Sequence, residues 1–138
     1  MEDSVNAFEL KLPPLSAPIK KVSCGWTHVV ILLEDGKVCS WGRDDYSQLG
    51  EVTHDTECPV REVQLTAADI EVGSEHCLAV RSSDKAIMSW GWNEHGNCGN
   101  GSVQNVANPT KVVFEKPYND VISFCSASGH NFAYVMEN

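Results

Sequence analysis

The sequence lacks two features that large classes of protein need: a long apolar run and an excess of basic residues. No run in the 138 residues approaches the roughly 20 apolar residues of a membrane-spanning helix. The first residues, MEDSVNAFELK, have neither the basic start nor the apolar core of a secretory signal peptide. Lysine and arginine number 10 against 19 acidic residues, for a net charge of −9. Because nucleic-acid binding relies on basic side chains, we expect no nucleic-acid partner and no membrane insertion.

Residues for covalent and catalytic chemistry are also scarce. The six cysteines include no C-x-x-C pair and do not recur in register, so reduced thiols and a cytoplasmic, or also nuclear, location are expected. No nucleophile elbow or phosphate-binding loop is present. Glu94 and His95 are adjacent, but a catalytic acid–base pair also needs a third, orienting group. We therefore expect a protein that is not an enzyme in the strict sense and that needs no cofactor.

What the sequence does contain is a repeat with a period of 48 or 49 residues. A third, partial copy starts late, since His130 lies 54 residues after His76 and heads another apolar run. Periods of about 40–50 residues are typical of β-propellers and related arrays. The shared positions are Gly25, His28, Asp35, Trp41, Gly42 and Gly50 in the first copy, and Gly73, His76, Asp84, Trp90, Gly91 and Gly99 in the second.

Each copy is predicted to be built from β-strands. The runs that begin at His28 and His76 are almost continuously apolar, which suits strands covered on both faces. Asp35-Gly36 predicts a tight hairpin turn, whereas the second copy has no glycine there, so its turn should be of a different type. Gly25 and Gly73 close the first strand of each copy, where glycine permits either a positive φ or a close backbone approach.

The motif order V-x-C-G-x-x-H, L-x-x-D-G, S-W-G and L-G, from Val22 to Gly50, resembles the regulator of chromosome condensation repeat. Members of that family are seven-bladed propellers with four-stranded blades. The resemblance implies an all-β partial propeller, with two four-stranded blades and a closing strand fragment. Seven such repeats would need many more residues than the chain has. We therefore expect the C-terminal part of a larger propeller, with a short self-associating protein as the alternative.

The same resemblance divides the chain into repeats. Residues 1–18 are expected to be a remnant of a preceding blade or a disordered lead, 19–66 the first repeat, 67–117 the second and 118–138 a partial closing repeat.

A finer resemblance lies in the decapeptide WGWNEHGNCG, from Trp90 to Gly99, together with CGWTHVVIL. These segments are similar to the branch of the family formed by secretion-regulating guanine nucleotide exchange factors and by a yeast propeller of the diphthamide and Elongator pathways. This implies a non-catalytic protein-interaction segment whose partner is a small GTPase, a secretory tethering component or a diphthamide factor. The alternative is guanine nucleotide exchange on a small GTPase.

The recurring histidines and tryptophans are interpreted as structural. His28, His76 and His130 occupy equivalent positions in successive repeats, which are spread around a propeller axis, and close Cys/His spacing of a zinc site is missing. Buried histidines that bond a neighbouring strand are therefore expected rather than a metal site. Trp41 and Trp90 also recur in register and are expected to pack between blades.

The binding candidates are the two polar segments that follow the Trp-Gly steps, residues 43–58 and 92–108, here called the Trp-Gly loops. They should emerge on one face. The first has five acidic residues against one arginine, which indicates either a solvated loop or an acidic rim that attracts a basic partner. Trp92 is the residue type that anchors interfaces. The predicted partner-binding residues are Trp92, Asn93, Glu94, His95, Asp44 and Asp45.

Overall fold

The computed structural model describes residues 11–50 and 59–138, and all of its regular structure is β-strand. These described residues contain no helix that is long and apolar enough to cross a membrane. The strands are β1 Ile19–Cys24, β2 His28–Leu33, β3 Lys37–Gly42, β4 Arg61–Val72, β5 His76–Arg81, β6 Ile87–Gly91, β7 Val106–Lys111, β8 Tyr118–Ala127 and β9 His130–Glu137.

The strands form two antiparallel sheets. Strands β1 to β7 lie in chain order in one sheet, and β8 pairs with β9 in the other. Strand β4 belongs to two blades. Its first half pairs with β3, and its second half, from Ala67 to Val72, pairs with β5. Strands β1 to β3 and the first half of β4 therefore form blade 1. The second half of β4 and strands β5 to β7 form blade 2, and β8–β9 is the closing hairpin.

The blades are held together by the apolar runs visible in the sequence. Val30 and Leu32 of β2 are fully buried and share one core cluster with Ile70 and Ala79 of blade 2. Trp90 on β6 belongs to the same cluster and has no exposed surface. Burial on both faces explains why these strands are continuously apolar rather than alternating. The predicted all-β partial propeller is thus confirmed.

The turns between the second and third strands differ, as expected from the missing glycine. In blade 1, Gly36 takes a φ of 86° and its N–H bonds to Leu33 O at 2.9 Å. In blade 2, Lys85 has a φ of 61° and its N–H reaches back to Arg81 O, so that turn is longer. A left-handed conformation is unusual for a residue other than glycine.

Gly25 and Gly73 have no positive φ, so one of the two predicted reasons for glycine is wrong. In the structure, the reason for glycine at both positions is the close approach of neighbouring atoms. A Cβ on Gly73 would overlap Cε1 of His76 and lie 2.7 Å from Ser126 Oγ. A Cβ on Gly25 would overlap His28 in the same way and lie 2.7 Å from the carbonyl oxygen of Ser74. Each glycine makes room for the imidazole of its own repeat.

The third copy is a two-stranded hairpin rather than the single strand that the sequence suggested. Phe124 of β8 is buried against Leu78, Val80 and Ile87 of blade 2. His130 was expected to be a buried equivalent of His28 and His76, but it is exposed. The reason is that no further blade covers it within the described part of the chain, where β9 pairs only with β8.

Candidate functional site

The two Trp-Gly loops are closed by the same device. In the first loop the Leu49 N–H donates to Asp44 Oδ1 at 3.1 Å, and in the second the Cys98 N–H donates to Asn93 Oδ1 at 2.8 Å. Asp44 and Asn93 are 49 residues apart and therefore occupy the same place in the repeat. A short side chain that accepts a bond from the backbone a few residues further on is a common way to stabilise a turn.

Asn93 was predicted to contact a partner, and the structure contradicts this assignment. Its side chain is fully buried, and its Nδ2 donates to the carbonyl oxygens of Ser102 and Gln104 at 3.0 and 2.9 Å. The same amide also contacts Asn100 Oδ1 at 3.2 Å. Asn93 therefore organises the second Trp-Gly loop from within and has no free surface to offer.

We expect Asn93→Ala to lower the free energy of unfolding by about 2–4 kcal/mol, because it leaves the buried Cys98 N–H without its acceptor and removes the donor to the carbonyl oxygens of Ser102 and Gln104. The matched control is Glu94→Ala next to it, an exposed side chain whose loss should cost less than about 0.5 kcal/mol. Urea denaturation of both variants followed by fluorescence measures the difference. Equal stabilities of the two variants would contradict the role of Asn93.

In the described part of the acidic rim predicted for the first loop, the carboxylates are paired within the chain. Asp44 Oδ2 accepts a hydrogen bond from Arg61 Nη1 at 2.8 Å, and Asp45 pairs with Arg43. Both carboxylates are paired with arginines of the chain itself, which weakens their attraction for a basic partner, and their role in partner binding stays a prediction. The remaining acids of the predicted rim, Glu51, Asp55 and Glu57, lie outside the described residues.

Each loop also carries a pair of contacting side chains, of which Arg43 and His95 are exposed and Tyr46 and Trp92 are partly buried. The ring of Trp92 meets the ring of His95 edge-on, with centroids 5.2 Å apart. In the first loop Arg43 lies over the ring of Tyr46 at 5.5 Å. These pairs are equivalent in the repeat, and they give the two loops different surfaces: a cation stacked on a phenol in one, and an indole with an imidazole in the other.

The two Trp-Gly loops leave the blades on the same side, as predicted. The Arg43 N–H bonds to Thr27 O, and the Trp92 N–H bonds to Glu75 O, both at 2.9 Å. Gln48 Nε2 reaches across the blades to Glu75 Oε2 at 2.7 Å. We call this side, with residues 25–27, 43–50, 73–75, 92–105 and 128–129, the loop face.

Sequence reasoning missed Trp26 as a surface residue of the loop face. Its side chain is 77% exposed, although tryptophan is usually buried for the most part. The Trp26 N–H bonds to Ser74 O at 2.9 Å, and the Trp92 N–H bonds to the next carbonyl, that of Glu75. The two tryptophans therefore flank the same dipeptide. The sequence did contain a sign of this: Trp26 and Trp92 do not recur at the repeat spacing, whereas Trp41 and Trp90 do.

The recurring histidines lie at the joints between blades. His28 Nε2 contacts Cys77 Sγ at 3.2 Å, and His76 Nε2 contacts Asn131 Oδ1 at 2.7 Å. Burial lowers the pKa of both imidazoles, which favours the neutral ring. Burial also raises the pKa of the Cys77 thiol well above its usual value. Both pairs thus stay uncharged and act as packing contacts.

Ser126 and His76 are the nearest approach to a catalytic pair in the described residues, with Ser126 Oγ 3.1 Å from His76 Nε2. In a hydrolase the other ring nitrogen of the histidine is oriented by an acid. Here Nδ1 of His76 is buried without a hydrogen-bond partner. The contact joins blade 2 to the closing hairpin. The described cysteines form no disulfide, and no group of three or more metal-ligating side chains occurs among the described residues.

The repeat is recognised by models of known families. One model of the regulator of chromosome condensation (RCC1) repeat matches residues 35–80 and 86–134, and a second matches residues 19–48 and 67–97. The chain belongs to the RCC1 repeat family. The matches cover blade 1, blade 2 and most of the closing hairpin, so every surface described above is built from RCC1 repeats.

Three relatives place this RCC1 chain more finely. It is 41% identical over 137 residues to the secretion-regulating guanine nucleotide exchange factor of Mus musculus, which covers 83% of this chain and 29% of that protein. The Bos taurus protein of the same name is 38% identical over 135 residues, covering 83% and 28%. The ultraviolet-B receptor UVR8 of Arabidopsis thaliana is 33% identical over 118 residues, covering 81% and 26%. The chain thus spans less than a third of each relative's length.

Solved structures agree with the RCC1 fold. Prp20p of Saccharomyces cerevisiae superposes with a TM-score of 0.78 at 19% identity, over 92% of this chain and 33% of that one. Human WBSCR16 superposes with a TM-score of 0.73 at 25% identity, over 85% and 31%. The resemblance drawn from the sequence, to RCC1 repeats and to the secretion-regulating exchange factors, is therefore confirmed.

Proposed function

We propose that the chain is a segment of a protein-interaction propeller, without catalytic chemistry of its own, and that it binds a protein partner through the loop face. The observation that carries this proposal is the exposed indole of Trp26 on the same loop face as the Trp92–His95 pair. Tryptophan is enriched in the few residues that dominate protein interfaces, because one ring buries a large area. A ring exposed in this way is available for burial by a partner.

The scaffold under these rings supports binding without rearrangement. Both backbones are held by hydrogen bonds to the Ser74–Glu75 dipeptide, and the carboxylate of Glu75 accepts bonds from Thr27 and Gln48 at 2.6 and 2.7 Å. A surface fixed in this way loses little conformational entropy when a partner binds. The exposed groups beside the tryptophans are Glu94 and His95, which offer an acceptor and a hydrogen-bonding ring to a polar partner.

A second candidate function is nucleotide exchange on a small GTPase. It is supported by the names of the two relatives at 41% and 38% identity, which are guanine nucleotide exchange factors. If the chain promotes nucleotide exchange, its partner is a small GTPase. If it is an adaptor, a secretory tethering component or a diphthamide factor is an alternative partner. Either function fits a cytoplasmic location, with the nucleus as a further site.

The two functions are separated by one assay. Small GTPases loaded with a fluorescent guanine nucleotide are mixed with the protein, and nucleotide release is followed with and without it. An adaptor captures its partner without changing the release rate. Acceleration of release that saturates with protein concentration would establish exchange and overturn the purely adaptor function.

Trp92→Ala is expected to weaken capture of the partner by about 2 kcal/mol, or roughly 30-fold, as the loss of a central aromatic contact does. Trp26→Ala should have an effect of similar size. Capture is measured by pull-down with quantitative mass spectrometry and then by titration of the purified partner. The matched control is Phe132→Ala, another exposed aromatic that lies on β9 and not on the loop face. Full capture by folded Trp92→Ala and Trp26→Ala would remove the loop face as the binding surface.

A further inference from the structure

The second Trp-Gly loop contains the only Asn-Gly dipeptide of the sequence, Asn100-Gly101. An asparagine followed by glycine is open to attack by the chain itself, because glycine has no side chain to shield its backbone nitrogen. The equivalent positions of the first repeat, 51 and 52, hold glutamate and valine. The dipeptide is therefore a feature of the second loop and not of the repeat.

The side chain of Asn100 is folded forward over the next peptide bond. Its Oδ1 accepts a hydrogen bond from the Ser102 N–H at 3.1 Å. A side chain that bonds the backbone nitrogen two residues further on forms an Asx turn. In this conformation Cγ of Asn100 comes close to the backbone nitrogen of Gly101, which lies between the two bonded residues. A nucleophile that is held next to its target reacts faster than one that must find it.

The backbone nitrogen of Gly101 is free to react. Within the described residues its N–H donates no hydrogen bond to another backbone group. A Cβ placed on Gly101 would meet no atom within 4 Å, so solvent reaches this peptide. Its φ of 79° lies in the left-handed region, which glycine adopts without strain. Water or hydroxide can therefore remove the proton that the nitrogen must lose before it attacks.

The oxygen and the nitrogen of the Asn100 amide are held differently. Oδ1 accepts a second hydrogen bond, from Asn93 Nδ2 at 3.2 Å. Two donors on one carbonyl oxygen make its carbon more electrophilic and stabilise the negative charge that develops on the oxygen during attack. Both side-chain hydrogen bonds of Asn100 involve Oδ1, so within the described residues Nδ2 is not held and is free to leave.

We propose that Asn100 is a site of spontaneous covalent modification, at which its side-chain amide is converted to a mixture of aspartate and isoaspartate. The Gly101 nitrogen loses its proton to solvent and forms a bond to Cγ of Asn100. The bond from Cγ to Nδ2 then breaks, and Nδ2 takes a proton from water and leaves as ammonia. Water opens the resulting succinimide ring at either of its carbonyl groups. Nothing is oxidised or reduced, and no other reactant than water is consumed.

The two products should affect the second loop differently. Aspartate at position 100 keeps an acceptor for Asn93 Nδ2 and for the Ser102 N–H, so the loop keeps its shape and gains a negative charge. Isoaspartate adds a methylene group to the main chain at this position. It therefore displaces the carbonyl oxygens of Ser102 and Gln104, which accept bonds from Asn93 Nδ2 at 3.0 and 2.9 Å. The isoaspartyl form should lose these bonds, which loosens the loop that carries Trp92.

The test follows the full 138-residue protein over time in mildly alkaline buffer with reductant, beside a synthetic peptide of residues 97–105. Peptide mapping by mass spectrometry measures conversion at each asparagine, and electron-transfer fragmentation distinguishes aspartate from isoaspartate. Because the fold holds the reacting groups together, Asn100 should convert at least about threefold faster in the folded protein than in the peptide. A smaller ratio, or slower conversion in the protein, overturns the proposal.

A second asparagine and a variant serve as controls. Asn119 is exposed but is followed by Asp120, and it should convert at least about tenfold more slowly than Asn100. Asn100→Gln keeps the amide but would have to close a larger ring, so conversion at this position should be lost over the same period. Circular dichroism confirms that the variant is folded, and the other two comparisons use the unchanged protein. Conversion of Asn119 or of Asn100→Gln at the rate of Asn100 overturns the proposal.

Urea denaturation tests the effect of isoaspartate on the loop. Asn100→Asp contains the aspartyl product alone, whereas aged protein purified by ion exchange contains both products. Asn100→Asp should unfold at the same urea concentration as fresh protein, and the aged protein should unfold at a lower one. Equal midpoints of the aged protein and Asn100→Asp would overturn the loosening of the loop.

Discussion

Trp90→Ala is expected to lower the free energy of unfolding by about 3–5 kcal/mol, the largest effect of any single substitution discussed in this protein. The ring is fully buried in the joint between blade 1 and blade 2. Its removal leaves a cavity that neighbouring strands cannot close, because their positions are fixed by pairing within the sheet. It also removes the donor to the backbone oxygen of Gln48, a residue with no exposed surface.

Chemical denaturation of the purified protein measures this effect. The other recurring tryptophan provides a graded comparison. Trp41 is only partly buried and packs against the cluster of Ile31, Leu33, Cys39 and Val60, so Trp41→Ala should lower the free energy of unfolding by less than Trp90→Ala does. Trp26→Ala removes the most exposed of the three rings and should change the free energy of unfolding by less than about 0.5 kcal/mol. An order of stabilities in which Trp26→Ala is the least stable of the three would contradict the packing described here.

The repeat predicted most of the fold because its signals are redundant. His28 and His76, Trp41 and Trp90, and the apolar runs between them recur at one spacing, and all of them except the partly buried Trp41 lie mainly buried between neighbouring strands. A tertiary contact that depends on one residue is hard to read from sequence, whereas a contact repeated in register is visible as a period. The all-β architecture and the common face of the Trp-Gly loops followed from this period.

The binding site was less predictable because polar residues in loops have two uses. Asp44 and Asn93 were interpreted as surface groups from their polarity, yet both of them close their own loops. Their equivalence in the repeat was already visible in the sequence and is the signal that identifies a structural role. Trp26 shows the converse, since it is a large apolar residue and yet its side chain is exposed. Side-chain exposure depends on how neighbouring loops pack, which periodicity does not determine.

Gly73→Ala is the second substitution with a large expected effect, about 2–3 kcal/mol, because it forces an added methyl group into a space that is already filled. The new Cβ would overlap the ring of His76. That ring cannot swing away without losing its contacts, since Nε2 lies 2.7 Å from Asn131 Oδ1 and 3.1 Å from Ser126 Oγ. The strain would therefore be transmitted to the joint between blade 2 and the closing hairpin.

A double-mutant cycle with His76→Ala tests the stated cause. If the clash with the imidazole is what makes Gly73→Ala unfavourable, the double variant should be more stable than the sum of the two single changes predicts, by at least about 1 kcal/mol. Additive effects would show that glycine is needed at position 73 for its backbone and not for the space beside the ring. The same cycle at Gly25 and His28 should give a coupling of the same sign, because a Cβ on Gly25 would meet the His28 ring in the same way. Coupling at one joint and additivity at the other would mean that the two repeats, although built alike, use their glycines for different reasons.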